Sequence, residues 1–203
     1  MSNARGYTLL ETMVVVAVMG GIFAITGTVL VRSAKVWHAE ETFAAVSNGM
    51  RDAAMAISRD LQFARLEADL TQTPPVIGVT LGKGDIQFQM PQSADGNAWS
   101  PVVMFRLNNE DKNGNLRLDS GEDLDQDGIL DRCIERVQDI DGDGKYEGDG
   151  EVRVVARGID RLSFQQEPGS TLIEVAIEAR VPDPGRENVP QVQSNRFSVR
   201  VSN

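Results

Sequence analysis

The sequence predicts an α+β protein, in which a long N-terminal α-helix, membrane-spanning in its first half, packs on a mainly antiparallel β-sheet head. Two observations predict this fold. Apolar or small residues fill positions 12–31, and apolar residues then recur at helical spacing up to residue 68. After residue 75 the chain changes to short runs rich in Val, Ile and Phe, which are separated by turn residues.

The first element is a membrane helix. As a helix, the twenty residues 12–31 are long enough to span the roughly 30 Å hydrocarbon core of a bilayer. The run exceeds the roughly 7–15 apolar residues of a cleaved secretory signal, so we expect it to be retained. Glu11 stands at its N-terminal edge, where a carboxylate near hydrocarbon needs a partner or a function. The alternative is a Glu11 side chain that reaches the headgroup level.

Residues 5–11, Arg-Gly-Tyr-Thr-Leu-Leu-Glu, together with the apolar run that follows, resemble the class III signal of type IV pilins and of type II secretion pseudopilins. The resemblance implies that residues 1–6 are a leader, which a prepilin peptidase removes after Gly6. It also implies that the same enzyme methylates Tyr7, the new N-terminus. Tyr7 stands where the family usually has Phe. The resemblance implies a single-pass protein of the inner membrane, whose head lies in the periplasm or outside the cell.

The chemistry of this end fits such a role. Cleavage before Tyr7 would create an α-amino cation, and an unpaired ammonium or carboxylate is costly in a lipid-like environment. Glu11 of one subunit is therefore expected to pair with the Tyr7 amine of a neighbour and to set the axial register of a filament.

The helix continues beyond the membrane. Residues 7–32 are predicted to form its membrane half and residues 33–71 its periplasmic half, with an end near Leu70 before Pro74 and Pro75. Asp60 is assigned to the polar face, among other charged residues. The predicted apolar face consists of Val36, Phe43, Val46, Met50, Ala53 or Ala54, Ile57, Leu61, Ala64 and Ala68.

A head is predicted over residues 76–203. Its expected strands cover residues 76–81, 86–90, 102–107, 132–137, 152–156, 161–165, 172–181 and 196–201. Residues 155–164 and the two strands after them resemble the larger minor pseudopilins of the J type and minor pilins of the PilW type. Cys133, the single cysteine, is expected to be a packed free thiol.

The negative charge of the chain is confined to one segment. Of the net charge of −10, all is contributed by residues 108–151, which hold fifteen acidic and five basic residues. Phosphate would be repelled by this segment, so we expect no nucleic-acid partner. Cations are the expected ligands, and residues 110–151 are interpreted as an acidic calcium-binding insert in the head.

Three stretches of the insert have calcium-loop spacing, with oxygen-bearing side chains at alternate positions and glycines at turns. They resemble dockerin and thrombospondin type 3 repeats. The terminal ligand of the third stretch is open between Asp149 and Glu151, and the alternative for the whole insert is a solvated acidic loop. The predicted calcium ligands are Asp111, Asn113, Asn115, Asp119 and Glu122, then Asp123, Asp125, Asp127 and Asp131, then Asp139, Asp141, Asp143 and Glu147.

The expected function is structural: a minor pilin or pseudopilin that initiates or joins assembly of a type IV pilus or a type II secretion pseudopilus. The expected partners are other pilin or pseudopilin subunits, prepilin peptidase and the inner membrane. The alternative is a calcium-dependent adhesin module at a pilus tip. Catalysis and a small-molecule substrate are not expected, because the single histidine, His38, and the single cysteine leave no Ser/His/Asp, Cys/His or zinc pattern.

Overall fold

A computed structural model of the chain shows one long helix followed by two antiparallel sheets, which confirms the predicted α+β fold. It describes residues 8–68, 78–82, 84–93, 98–109, 119, 132–140, 150–182 and 190–201. The elements are α1 (Leu9–Leu61), β1 (Thr80–Leu81), β2 (Asp85–Phe88), β3 (Val103–Asn109), β4 (Arg132–Gln138), β5 (Val152–Ala156), β6 (Arg161–Gln166), β7 (Leu172–Pro182) and β8 (Pro190–Arg200).

The helix α1 is 53 residues long, or about 80 Å at 1.5 Å per residue. It begins after Thr8, whose extended backbone makes it the N-cap residue. It ends at Leu61, where the amides of Phe63 and Ala64 bond three residues back and tighten the last turn.

The predicted end near Leu70 was therefore too late. Val79 donates its amide hydrogen to the carbonyls of Arg65 and Leu66, so the chain leaves the helix to run beside the start of the head. Ala64 is still buried, although it no longer lies in the helix. The apolar spacing therefore continues past the end of the helix, which is why periodicity did not reveal it.

The two halves of α1 have different surroundings. From Leu9 to Val31 the large apolar side chains are 53–79% exposed. In the second half Met50, Ala53, Ile57 and Leu61 are buried against the head, as predicted.

Two residues of the predicted apolar face, Phe43 and Ala68, are instead exposed. Phe43 is 40% exposed, although Ala39, one turn before it, is buried, and Ala68 follows the end of α1. Asp60, predicted on the polar face, is buried because Arg136 of β4 reaches its carboxylate.

The first sheet is a five-stranded meander in the order β1-β2-β3-β4-β5, with every neighbouring pair antiparallel. Paired residues point to the same face, so alternate residues divide the sheet into two faces. One face carries Ile86, Phe105 and Ile134, which belong to the main core. The opposite face, which we call the outer face, carries Met104, Arg106, Cys133, Glu135 and Val137.

The second sheet is formed by β6, β7 and β8, again antiparallel. Alternate residues of β7 are buried, from Ile173 through Val175 and Ile177 to Val181, because successive side chains of a strand point to opposite faces. The core lies between α1, this sheet and the inner face of the first sheet. Gly158, before β6, has φ +68° and lies against Val46 of the helix.

Candidate functional site

The N-terminal end of α1 is organised by Thr8 and Glu11. The Glu11 amide donates to Thr8 Oγ1 over 3.4 Å, and the Thr8 carbonyl accepts from Glu11 and Thr12. Thr8 and Glu11 have the spacing of a helix capping box, a signal in the sequence that our reading of Glu11 missed. An acid in the first turn is also favoured by the positive end of the helix dipole.

Glu11 itself is exposed, at the start of the exposed apolar half of α1. By length and composition this helix could cross a membrane. Fourteen large apolar side chains between Leu9 and Val31 are exposed, with no cover from the part of the chain that the structure describes, so this surface needs lipid or other protein around it. The predicted processing residues, Gly6 and Tyr7, lie outside the described residues.

The acidic motifs connect strands of the first sheet. Residues 110–131 join β3 to β4, whose ends pair as Asn109 with Arg132. Asp119 is described and exposed. The other predicted ligands in this connection lie outside the described residues: Asp111, Asn113, Asn115, Glu122, Asp123, Asp125, Asp127 and Asp131.

The third motif lies in the connection from β4 to β5. Asp139 begins it and is half-buried, whereas Asp141, Asp143, Glu147 and the alternative ligand Asp149 lie outside the described residues.

Glu151, the residue directly before β5, forms hydrogen bonds across the base of this connection. Its carboxylate Oε1 accepts from the Ile140 amide over 2.9 Å, and its own carbonyl accepts from the Gln138 amide over 2.8 Å. The side chain is nearly buried, at 3% exposure. Its carboxylate thus lies beside the first residues of the third motif.

Strand β4 separates the motifs. The connection that holds the first two motifs enters β4 at Arg132, and the third leaves it after Gln138. Seven strand residues place these ends about 20 Å apart. A calcium ion binds oxygens at about 2.3–2.6 Å, so the two connections are anchored too far apart for their bases to share an ion.

Two residues near the end of the second motif, Ile134 and Glu135, have structural roles in the head. Ile134, at its twelfth position, is fully buried in the main core. Glu135 accepts from Arg106 Nε over 2.8 Å and from Asn108 Nδ2 over 2.7 Å, so both of its carboxylate oxygens have protein donors. Among the described residues, no group of three His, Cys, Asp or Glu side chains is arranged as a metal site.

The comparison with protein families bears on the N-terminal end. Residues 1–20 match the family described as the Prokaryotic N-terminal methylation motif. The chain carries a type IV pilin-like prepilin signal. Together with the apolar helix, this signal supports a type IV pilin- or pseudopilin-like protein and fits a membrane-anchored pilin.

The prepilin signal points to a structural subunit rather than an enzyme. It is also consistent with processing by prepilin peptidase and with assembly among pilins. The match ends at residue 20, so it does not extend to the head of this pilin-like chain. No curated protein and no solved structure matches the chain.

Proposed function

We propose that the protein is a minor pilin or pseudopilin that initiates or joins assembly of a type IV pilus or a type II secretion pseudopilus. The observation that carries the proposal is the prepilin signal directly before a half-helix whose apolar surface is uncovered. In the inner membrane lipid would cover this surface, and in a filament the helices of neighbouring subunits would. The head would lie in the periplasm, or outside the cell after assembly.

Glu11 would direct the assembly step. It comes four residues after Tyr7, the proposed new N-terminus, and lies at the edge of the apolar surface. In a filament its carboxylate would meet the Tyr7 amine of a neighbouring subunit, which relieves the cost of both charges in a low-dielectric environment. An uncleaved leader would leave Tyr7 in an amide bond and remove the cation, so processing would control assembly.

Incorporation of variants into sheared filaments of the native host tests this proposal. Glu11→Val should remain processed and membrane-inserted but fall at least about tenfold in filaments, the effect expected of about 1.4 kcal/mol or more in assembly. Glu41→Gln is the matched control, because Glu41 is an exposed acid of the same helix that lies beyond the apolar half. Normal incorporation of Glu11→Val would contradict the pairing, and absence of the unchanged protein from all filaments would contradict the function.

We further propose that the head binds calcium through its acidic connections. The support is the motif spacing in residues 110–131 and 139–151. It is joined by the carboxylate of Glu151, which accepts from the Ile140 amide beside the first residue of the third motif. Hard oxygen ligands suit calcium, and bound calcium would offset the mutual repulsion of fifteen acids. The separation by β4 predicts at least two independent ions.

Titration calorimetry of the full chain in detergent tests the calcium proposal. Asp141→Asn with Asp143→Asn should remove one class of sites and leave the other. Glu174→Gln is the control, because Glu174 is an exposed acid on β7, outside the motifs. The absence of calcium heat from the unchanged protein would refute the proposal.

A further inference from the structure

Strand β8 is an edge of the second sheet. It pairs with β7 along all of its eleven residues, and among the described strands it pairs with no other. The core also ends at this strand. The inward residues of β7 are at most 1% exposed, whereas three inward residues of β8 beside them are only half-buried, namely Gln193, Asn195 and Phe197. One side of β8 is therefore paired and the other is open to a further strand.

The pairing pattern shows which backbone groups of β8 face the open side. Val201, directly after β8, donates its amide hydrogen to the Thr171 carbonyl. In an antiparallel pair, residues that bond the neighbouring strand alternate with residues whose amide and carbonyl point away from it. The register is continuous along the whole of β8, so this alternation has no break. The residues whose backbone groups point away from β7 are Val192, Ser194, Arg196, Ser198 and Arg200.

This edge has few of the features that keep strands from pairing. β8 contains no bulge, and its one proline is the first residue, Pro190. From Val192 to Arg200 the outward groups form a row about 27 Å long, at 3.4 Å per residue. Such a row of amides and carbonyls is a template on which another extended chain can pair.

Charge selects the kind of chain that fits this edge. The two charged residues of β8 are Arg196 and Arg200, and the Arg196 side chain is 76% exposed. The four strands that end the two sheets, β1, β5, β6 and β8, contain four arginines and no acidic residue. Pairing β8 with β5, β6 or β8 of a second copy would bring positive charges together, which is unfavourable on paired strands. Acidic side chains would instead be attracted to both arginines.

We propose that β8 is a docking edge for an extended, acidic segment of a partner protein, which adds to the second sheet as a fourth strand antiparallel to β8. Backbone hydrogen bonds to the five outward residues would supply the affinity. Acidic side chains opposite Arg196 and Arg200 would set the register. This edge lies on the head, away from the apolar half of α1, and the inference does not rest on the proposed function.

Binding of a fluorescein-labelled peptide to the full chain in detergent tests the proposal. The probe is the nine-residue peptide Glu-Val-Thr-Val-Glu-Thr-Thr-Thr-Val. When it lies antiparallel to residues 192–200, its two glutamates face Arg200 and Arg196. Fluorescence anisotropy should show saturable binding. A peptide with lysine in place of both glutamates should bind at least about tenfold more weakly, because like charges would then face each other.

A third peptide separates strand pairing from simple ion pairing. It keeps both glutamates but carries N-methyl groups on the two threonines that face Ser198 and Ser194. These methyl groups remove amide hydrogens that the added strand would donate to β8. The N-methylated peptide should therefore bind at least about tenfold more weakly than the first peptide, although its charge is the same.

A charge-reversed variant tests the assignment to β8. Arg196→Glu with Arg200→Glu should reverse the preference, so that the lysine peptide binds better than the glutamate peptide. Arg153→Glu is the matched control, because Arg153 is an exposed arginine of β5, an edge strand of the first sheet. It should leave the binding of both peptides unchanged. All of these substitutions are at exposed positions, so the melting transition of the head should be retained.

Amide hydrogen exchange, resolved by residue with NMR, locates the bound peptide. A saturating concentration of the glutamate peptide should slow exchange at Ser194, Arg196 and Ser198 at least about tenfold, because their amides gain acceptors. Exchange at Gln193 and Asn195 should not change, because their amides already donate to β7.

The proposal is overturned if the glutamate peptide does not bind at concentrations up to about 1 mM. It is also overturned if all three peptides bind alike, or if binding leaves the outward amides of β8 unprotected. None of these measurements involves leader removal, filament incorporation or calcium, so failure here is distinguishable from failure of the proposed function.

Discussion

Arg136 Nε of β4 donates to Asp60 Oδ2, in the last turn of α1, over 2.7 Å. Arg59 also reaches this carboxylate, over 3.1 Å, but from a side chain that is 65% exposed. The Asp60–Arg136 pair joins the C-terminal end of α1 to strand β4 of the first sheet. It therefore fixes the helix against the strand that separates the acidic connections.

Asp60→Ala should lower the free energy of unfolding of the head by about 2–3 kcal/mol, because it leaves the largely buried Arg136 cation without its carboxylate. Urea denaturation of the full chain in detergent, followed by circular dichroism, measures the loss. Arg59→Ala is the control and should cost less than about 1 kcal/mol, because the Arg59 side chain is mostly exposed. Equal losses in the two variants would contradict the account.

Glu135→Ala should also cost about 2–3 kcal/mol in the free energy of unfolding, because Arg106 and Asn108 would lose their shared acceptor, a carboxylate in a side chain that is 2% exposed. The same denaturation measurement applies. Glu178→Ala is the control, because Glu178 lies 3.8 Å from an Arg196 side chain that is largely exposed. A Glu135→Ala variant as stable as this control would contradict a structural role for the Glu135 carboxylate.

Gly158→Ala should destabilise the head by about 2 kcal/mol. The positive φ strains any residue with a Cβ, and the new Cβ would lie 3.3 Å from Val46 of the helix. Gly169→Ala separates the two effects, because Gly169 has φ +78° and an added Cβ meets nothing within 4 Å. Melting temperatures should fall further for Gly158→Ala. An equal fall in melting temperature for the two variants would mean that Val46 moves away from the new Cβ at no cost in stability.

Calcium should raise the melting temperature of the full chain, and a chelator should reverse the rise. Ligand that binds the folded state alone adds about 2.7 kcal/mol at a hundred times its dissociation constant. Magnesium at equal concentration is the control and should add less, because it demands near-ideal octahedral geometry and gives up its water reluctantly. A melting temperature that calcium and chelator leave unchanged would contradict a calcium-stabilised head.

Much of this fold was predictable because it follows local patterns. The bounds of β5 agree with the prediction, and those of β4 and β6 differ by one residue at their C-terminal ends. Strand β8 begins six residues before the predicted start at Arg196. Its first residues include Gln191, Gln193 and Ser194, whose polar side chains give no alternation, so pairing with β7 decides their conformation.

Relationships between distant residues were not predictable from local patterns. The sequence placed Asp60 among solvated charges, since its partner Arg136 is 76 residues away. The division of the head into two sheets was likewise not visible from strand patterns. Glu11 was identified from its position in the prepilin signal, but its spacing from the N-cap Thr8 was overlooked. The calcium ligands stay a prediction, as most of them lie outside the described residues.

The fate of residues 1–6 decides whether the protein is processed as a pilin. Mass spectrometry of the protein purified from the membranes and filaments of its native host tests this directly. The prediction is a chain that begins at Tyr7, carries a methyl group on that residue and retains the apolar residues 12–31. A mature protein that still carries residues 1–6, or one that has lost the apolar stretch, would contradict the account.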